Sequence, residues 1–75
     1  MIIVTRQGKQ LVRENCRIFI ESDKEIGSHF VWTTADKYPL SWFGSKEEAE
    51  DFVKRIQSSN KEYFFIVKEE EFYGV

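Results

Sequence analysis

The chain holds one cysteine, Cys16, and one histidine, His29. They are its one conceivable nucleophile and base. A catalytic pair of this kind needs the sulfur and the imidazole within hydrogen-bond reach. The segments carrying them read as two strands joined by a turn. Cys16 falls at the end away from the turn and His29 beside it, so roughly 17 Å of strand separates them. The expected role of Cys16 is that of a small apolar side chain. His29 with Glu21, Asp23 and Glu25 has the composition of a weak metal site, but a cross-strand contact between Glu21 and His29 on a solvated rim is the simpler expectation. A single cysteine and a single histidine exclude an intrachain disulfide and a Cys/His zinc set. No catalytic residue, metal or cofactor is expected.

Carboxylates are the next chemistry to weigh. Glu47, Glu48, Glu50 and Asp51 crowd one short segment. A glycosidase needs two carboxyls flanking a cleft, one of them desolvated, and a solvated helix in so short a chain offers no such cleft. An acidic row at i, i+3 and i+4, extended by Glu69, Glu70 and Glu71, could instead imitate a nucleic-acid backbone. Lys54 and Arg55 follow Glu50 and Asp51 at i+4 and offset it. The basic side chains gather at the other end. Residues 1–20 carry Arg6, Lys9, Arg13 and Arg17 against Glu14, a net of +3; residues 21–75 carry seven basic and twelve acidic side chains, a net of −5. Arg6, Arg13 and Arg17 beside an exposed Phe19 would resemble a single-strand nucleic-acid platform, in which bases stack on rings and cations hold phosphates. A total charge of −2 makes that footprint thin.

Tyr38-Pro39-Leu40-Ser41-Trp42-Phe43 is the most informative stretch. It crowds large apolar side chains into what reads as a connection. Phe43 is expected to pack under a helix start, with Trp42 and Tyr38 folded back over the core or left as an exposed patch. Exposed Trp and Tyr are common interface anchors. Phe72 and Tyr73 near the end pose the same choice. Tyr38, Leu40, Trp42, Phe72 and Tyr73, flanked by Glu47 and Asp51 of the acidic helix, are therefore the candidate protein-binding residues.

The elements that must position these residues follow from periodicity. Ser45 and Glu48 form a capping box. Ala49, Phe52, Val53 and Ile56 lie at i, i+3, i+4 and i+7, one apolar stripe. A helix is predicted from about Lys46 to Ser58. Cys16–Ser22 and Ser28–Thr34 read as a hairpin around a five-residue turn, Asp23 to Gly27. Pairing Ser22 with Ser28 would place Ile18, Ile20, Phe30 and Trp32 on one face. Ile2–Arg6 reads as a strand, followed by Lys9–Arg13 either as a second strand hairpinned through Gln7-Gly8 or as a loop. Tyr63–Lys68 reads as a last strand, apolar on both sides and so expected inside the sheet. The predicted fold is α+β: a mostly antiparallel sheet of four or five strands with one helix on one face, in the order β-β-β-β-α-β. Its expected core is Ile18, Ile20, Phe30, Trp32, Ala49, Phe52, Val53, Ile56, Phe64 and Ile66.

Seventy-five residues suit one domain spanning 1–75. A chain of this size buries only about 60% of its unfolded surface, so a dense aromatic core or a second protomer would help it. The lone thiol suits a reducing compartment, and the apolar start Met1–Val4 is too short for a signal peptide or a span. The cytoplasm is the expected location, with no membrane association. From Phe30 to Val67 the chain resembles a known group. A strand ends in Trp32-Thr33, a short connection carries Asp36, and Phe43 precedes Ser-Lys-Glu-Glu-Ala-Glu at Ser45–Glu50. A final strand closes in Ile-Val-Lys-Glu at Ile66–Glu69. This pattern is similar to short uncharacterised proteins encoded by bacteriophages and prophages of Gram-positive bacteria, over about half the chain. The resemblance implies a setting, small accessory or host-takeover proteins, rather than an activity. The expected function is non-enzymatic: binding of a host or phage protein, with homodimerisation as a further expectation. The alternative is a nucleic-acid-binding module on an aromatic sheet face.

Overall fold

A computed structural model describes residues 1–66. It is α+β, as predicted, but the strands divide into two sheets rather than one. β1 (Ile2–Val4) and β2 (Gln10–Val12) form a hairpin, the strand alternative for this segment, and β6 (Tyr63–Phe65) joins β1 in parallel, giving the order β2-β1-β6. β3 (Ile18–Asp23), β4 (Ser28–Thr33) and β5 (Ser41–Phe43) make a second, antiparallel sheet in the order β3-β4-β5. One helix, α1 (Lys46–Ser58), joins β5 to β6. Among the described residues there are thus six strands, and β6 lies at the end of its sheet, not inside it.

The helix boundaries agree with the capping argument. Ser45 Oγ accepts from the amide of Glu48 at 3.2 Å and donates to the Glu48 carboxylate at 3.0 Å. Ala49, Phe52 and Ile56 are buried. They pack on the β3-β4-β5 sheet, and Phe52 meets Phe43 at 5.2 Å and the edge of Phe64 at 6.0 Å between ring centroids. Phe43 under the helix start is as expected.

The hairpin register is where the sequence reading errs. Ile18 pairs with Thr33, Ile20 with Val31, Ser22 with His29 and Asp23 with Ser28, one residue out from the expected pairing. The turn explains the shift. Asp23 Oδ1 accepts from the amides of Glu25 and Ile26 at 3.0 and 3.2 Å, and Gly27 donates its amide to the Asp23 carbonyl at 2.9 Å. Gly27 sits at φ 75°, a left-handed backbone that glycine adopts without a Cβ clash. Asp23 is thereby held as the last strand residue, and the loop is four residues instead of five. A one-residue slip exchanges faces. Val31 and Thr33 turn inward and are buried, whereas Phe30 and Trp32 face the other way. The predicted core is corrected accordingly. The buried apolar set is Ile3, Leu11, Val31, Leu40, Ala49, Phe52, Ile56 and Ile66, with Ile18, Ile20, Val53 and Phe64 partly buried against it. Glu21 faces Phe30, so the expected Glu21–His29 pair does not form; His29 Nδ1 lies 2.6 Å from Ser22 Oγ.

Arg13 ties the first hairpin to the helix. It follows β2 in a short 3-10 turn, and its Nη1 donates to the carbonyls of Ile56 and Ser59 at 2.8 and 2.7 Å. These oxygens lie at the helix end, where carbonyls lack partners and a cation is favoured. Glu14 completes the joint: the Met1 ammonium donates to its Oε1 at 3.0 Å and Arg13 Nε to its Oε2 at 2.7 Å. Those two cations, the ammonium first, hold the Glu14 carboxyl down to about 2.

Candidate binding face

Residues directly opposite across a strand pair share a face. On the sheet side away from α1, Phe19 therefore stands beside Trp32, and Glu21, Phe30 and Trp42 form the next row across all three strands. Phe30 and Trp32 rings are 6.3 Å apart. This face carries four large rings. Trp42 is 49% exposed and Phe19 37%, with Phe30 and Trp32 partly covered. The Trp32 indole N–H is buried with no acceptor among the described residues. Two guanidiniums lie over the outermost rings: Arg17 is 5.5 Å from the Phe19 centroid and Arg6 is 4.6 Å from that of Trp42.

The stretch expected to be a loop explains how Trp42 comes to be there. Leu40 donates its amide to the Val31 carbonyl at 2.7 Å, drawing Ser41–Phe43 into a strand. Alternation then turns Ser41 and Phe43 inward and Trp42 outward. Leu40 is 1% exposed, a core residue and not a contact residue. Tyr38, at 47% exposed, stays at the surface with the Lys37 ammonium 5.4 Å from its ring. Of the two alternatives for Trp42 and Tyr38, the exposed one holds, and Leu40 is the residue of this stretch that is buried in the core.

The other candidates separate. Glu47 and Asp51 are exposed on α1, which lies on the opposite side of the β3-β4-β5 sheet from the ring-bearing face. Phe72 and Tyr73 lie outside the described residues. Arg6 uses Nε and Nη2 on the Leu40 carbonyl and Ser41 Oγ, at 3.3 and 3.0 Å, while remaining stacked on Trp42. Arg13 is committed to the helix end and is remote from the rings in its bonding. Arg17 and Phe19 remain together at the β3 edge. Cys16, partly buried, points its thiol at the Arg13 carbonyl, 3.6 Å away, and His29 sits at the turn end of the hairpin. The two are not brought together. Sequence reasoning missed Phe30 and Trp32 as surface groups; the Asp23-x-x-x-Gly27 turn signal was the clue that would have placed them.

Among the described residues no group of three His, Cys, Asp or Glu side chains gathers as a metal site, and no helix is long and apolar enough to cross a membrane. No family model matches the chain, and searches of curated proteins and of solved structures find no match either.

Proposed function

We propose that this protein acts by binding another protein through the ring-bearing face of β3-β4-β5. The observation that carries the reading is the exposure of Trp42 and Phe19 at either end of a four-ring surface on the side the helix leaves open. A contiguous exposed apolar patch on a small protein marks an interaction site. Tryptophan at its edge, partly stacked by an arginine, is the composition of an interface anchor. The function is non-enzymatic in this reading. The setting is the one the phage resemblance implies: an accessory protein in the host cytoplasm, acting on a host or phage protein.

One observation favours a second reading, single-stranded nucleic acid. Arg6 and Arg17 flank the rings, which suits bases stacked between phosphate contacts. Against it stand the net charge of −2, the carboxylate of Glu21 within the face, and the use of Arg13 elsewhere. The protein reading is preferred for those reasons.

Capture from a Gram-positive cell lysate separates the two. Wild type and Trp42→Ala are compared, each with and without nuclease. A protein retained by wild type after nuclease and lost by Trp42→Ala is the expected result. Capture that disappears with nuclease, and falls steeply with salt, would transfer the face to nucleic acid.

A further inference from the structure

Two sheets end on one cleft. β5 is the last strand of β3-β4-β5, and β6 is the last of β2-β1-β6 among the described residues. Both line the same cleft of about 540 Å³. That size lies within the range, about 300–1,000 Å³, that holds compact ligands. Phe52 of the helix lines it together with Phe43 and Phe64, and Trp42 and Phe65, 49% and 66% exposed, stand at its rim. The outer main-chain edge of a last strand offers unpaired amides and carbonyls to another chain. Here two such strands border one opening.

The cleft also has a sign. Arg6 and Arg55 both line it. Each guanidinium is held against a ring, Arg6 over Trp42 at 4.6 Å and Arg55 over Phe52 at 5.7 Å. A guanidinium stacked on a ring can still donate in its own plane to a carboxylate; Arg6 spends Nε and Nη2 on the Leu40 carbonyl and Ser41 Oγ and keeps Nη1 for that purpose. Among the described residues neither lies within 4.0 Å of a carboxylate, since the ion pairs there join Met1 and Arg13 to Glu14 and Lys9 to Asp36. The one carboxylate lining the cleft, Glu48, accepts from Ser45 at the helix start.

We propose that this cleft takes an extended acidic segment of the partner protein, laid between β5 and β6 as an added strand. Its main chain pairs with a free strand edge, its carboxylates meet Arg6 and Arg55, and one aromatic or aliphatic side chain rests on Phe52 between Trp42 and Phe65. Main-chain pairing supplies affinity in this mode and the side-chain contacts supply choice. The proposal rests on the protein-binding reading and names the chemistry of the partner; Trp42 belongs to both surfaces.

The test uses the full chain and two capped synthetic peptides. One alternates glutamate with valine and phenylalanine; its twin has lysine for each glutamate. Binding is followed by amide and indole NMR shifts. The glutamate peptide should bind, moving the Trp42 indole and the amides of Ser41–Phe43, Phe64 and Phe65, while the lysine twin does not. Arg55→Gln, at an exposed site that bears little on folding, should weaken the glutamate peptide by about fivefold, the upper end for one exposed ion pair. Equal binding of both peptides, shifts confined to Phe19 and Trp32, or no binding at all would overturn the proposal. The chain's own end has the same chemistry in Glu69, Glu70, Glu71 and Phe72. A glutamate peptide that binds only after Glu69→Gln, Glu70→Gln and Glu71→Gln would assign the cleft to that end and overturn the partner proposal. Protein capture by wild type that persists unchanged in Arg55→Gln would sink the cleft inference alone; absence of any Trp42-dependent capture would sink the broader reading.

Discussion

The two faces of the β3-β4-β5 sheet are built from opposite materials. The inner face, against the helix, is Ile18, Ile20, Val31, Thr33, Ser41 and Phe43, mostly aliphatic and hydroxyl side chains. The outer face is Phe19, Phe30, Trp32 and Trp42, with Glu21 among the rings. The larger apolar groups are outside. Hydrophobic size alone therefore does not say which side of a strand is buried. Parity does, and parity here is set by a turn. A helix stripe of Ala49, Phe52 and Ile56 needs a closely fitting surface, which short branched side chains provide better than four rings would. The rings are left where they can meet something else.

The sharpest way to break this comparison is to disturb the inner side. Ile56 is fully buried between the helix and the sheets. Ile56→Ala should cost about 2–5 kcal/mol, the transfer of the lost atoms plus the cavity left behind. In a domain of this size that is a large part of the whole stability. Thermal unfolding by circular dichroism should show a steep fall in midpoint. A variant as stable as wild type would mean that the inner face is not the packed one.

Next in size is Arg13→Ala. Two short hydrogen bonds from a charged group to the carbonyls of Ile56 and Ser59 would be lost, and the oxygens left without them. The expected cost is about 2 kcal/mol by denaturant titration. Arg13→Lys should recover only part of it, since one ammonium does not reproduce the planar fork. If Arg13→Ala instead leaves stability unchanged and abolishes binding, Arg13 belongs with the outer face after all.

What was legible in the sequence divides along the same line. The helix was readable because its signals are local: Ser45 and Glu48 at the cap, and the apolar stripe. The first hairpin was readable only in its first strand: the sequence leaves Lys9–Arg13 between strand and loop, and pairing with Ile2–Val4 makes Gln10–Val12 a strand. The β3–β4 register depended on hydrophobic pairing, and pairing Ile18 and Ile20 with Trp32 and Phe30 gave the larger apolar face. The local bonds of Asp23 and Gly27 outweighed that pattern. β5 was invisible because it holds three residues after a proline-containing stretch, and it forms through the Leu40–Val31 bond, which joins positions distant in sequence. The candidate face was half-seen: Arg6, Arg17, Phe19 and Trp42 were singled out, whereas Phe30 and Trp32 were assigned to the core and Leu40 to the surface. The division into two sheets could not be read at all, since it rests on which strand β6 chooses.

A smaller effect tests the turn itself. Gly27 has nothing within 4 Å of where a Cβ would stand, so space is not the obstacle. Its φ of 75° is. Gly27→Ala should cost about 1–2 kcal/mol through the left-handed backbone alone. The informative readout is structural: cross-strand NOEs should still pair Ile20 with Val31. A shift to the pairing of Ile20 with Phe30 would show that the glycine turn decides which face is which.

Trp42→Ala should be milder for the fold and severe for binding. Half of the residue is in water, and the fold loses its cross-strand contact with Phe30 and its contact with Arg6, together about 1–2 kcal/mol. Chemical denaturation should show a small decrease, and partner capture should be lost. A large loss of stability would mean that the outer face is held together for its own sake, and the contrast between the two faces would fail.

Acid should act on the packed side and spare the rings. Glu14 is exposed, so the effect is slight, but its sign is definite. Its carboxyl is lowered from 4.5 to about 2 by the Met1 ammonium and Arg13. A carboxyl depressed in the folded state stabilises it above the unfolded value and loses that contribution as pH falls through the folded one. The loss therefore runs from about 4.5 down to about 2. Arg13 is the side chain that also holds the helix end, so protonating Glu14 loosens the packed side at that joint. Glu14→Gln should lower stability at neutral pH and flatten its decline across that window, whereas Trp42→Ala should leave the slope of the decline as in wild type. An unchanged slope in Glu14→Gln would place the acid sensitivity elsewhere and remove this joint from the account of the packed side.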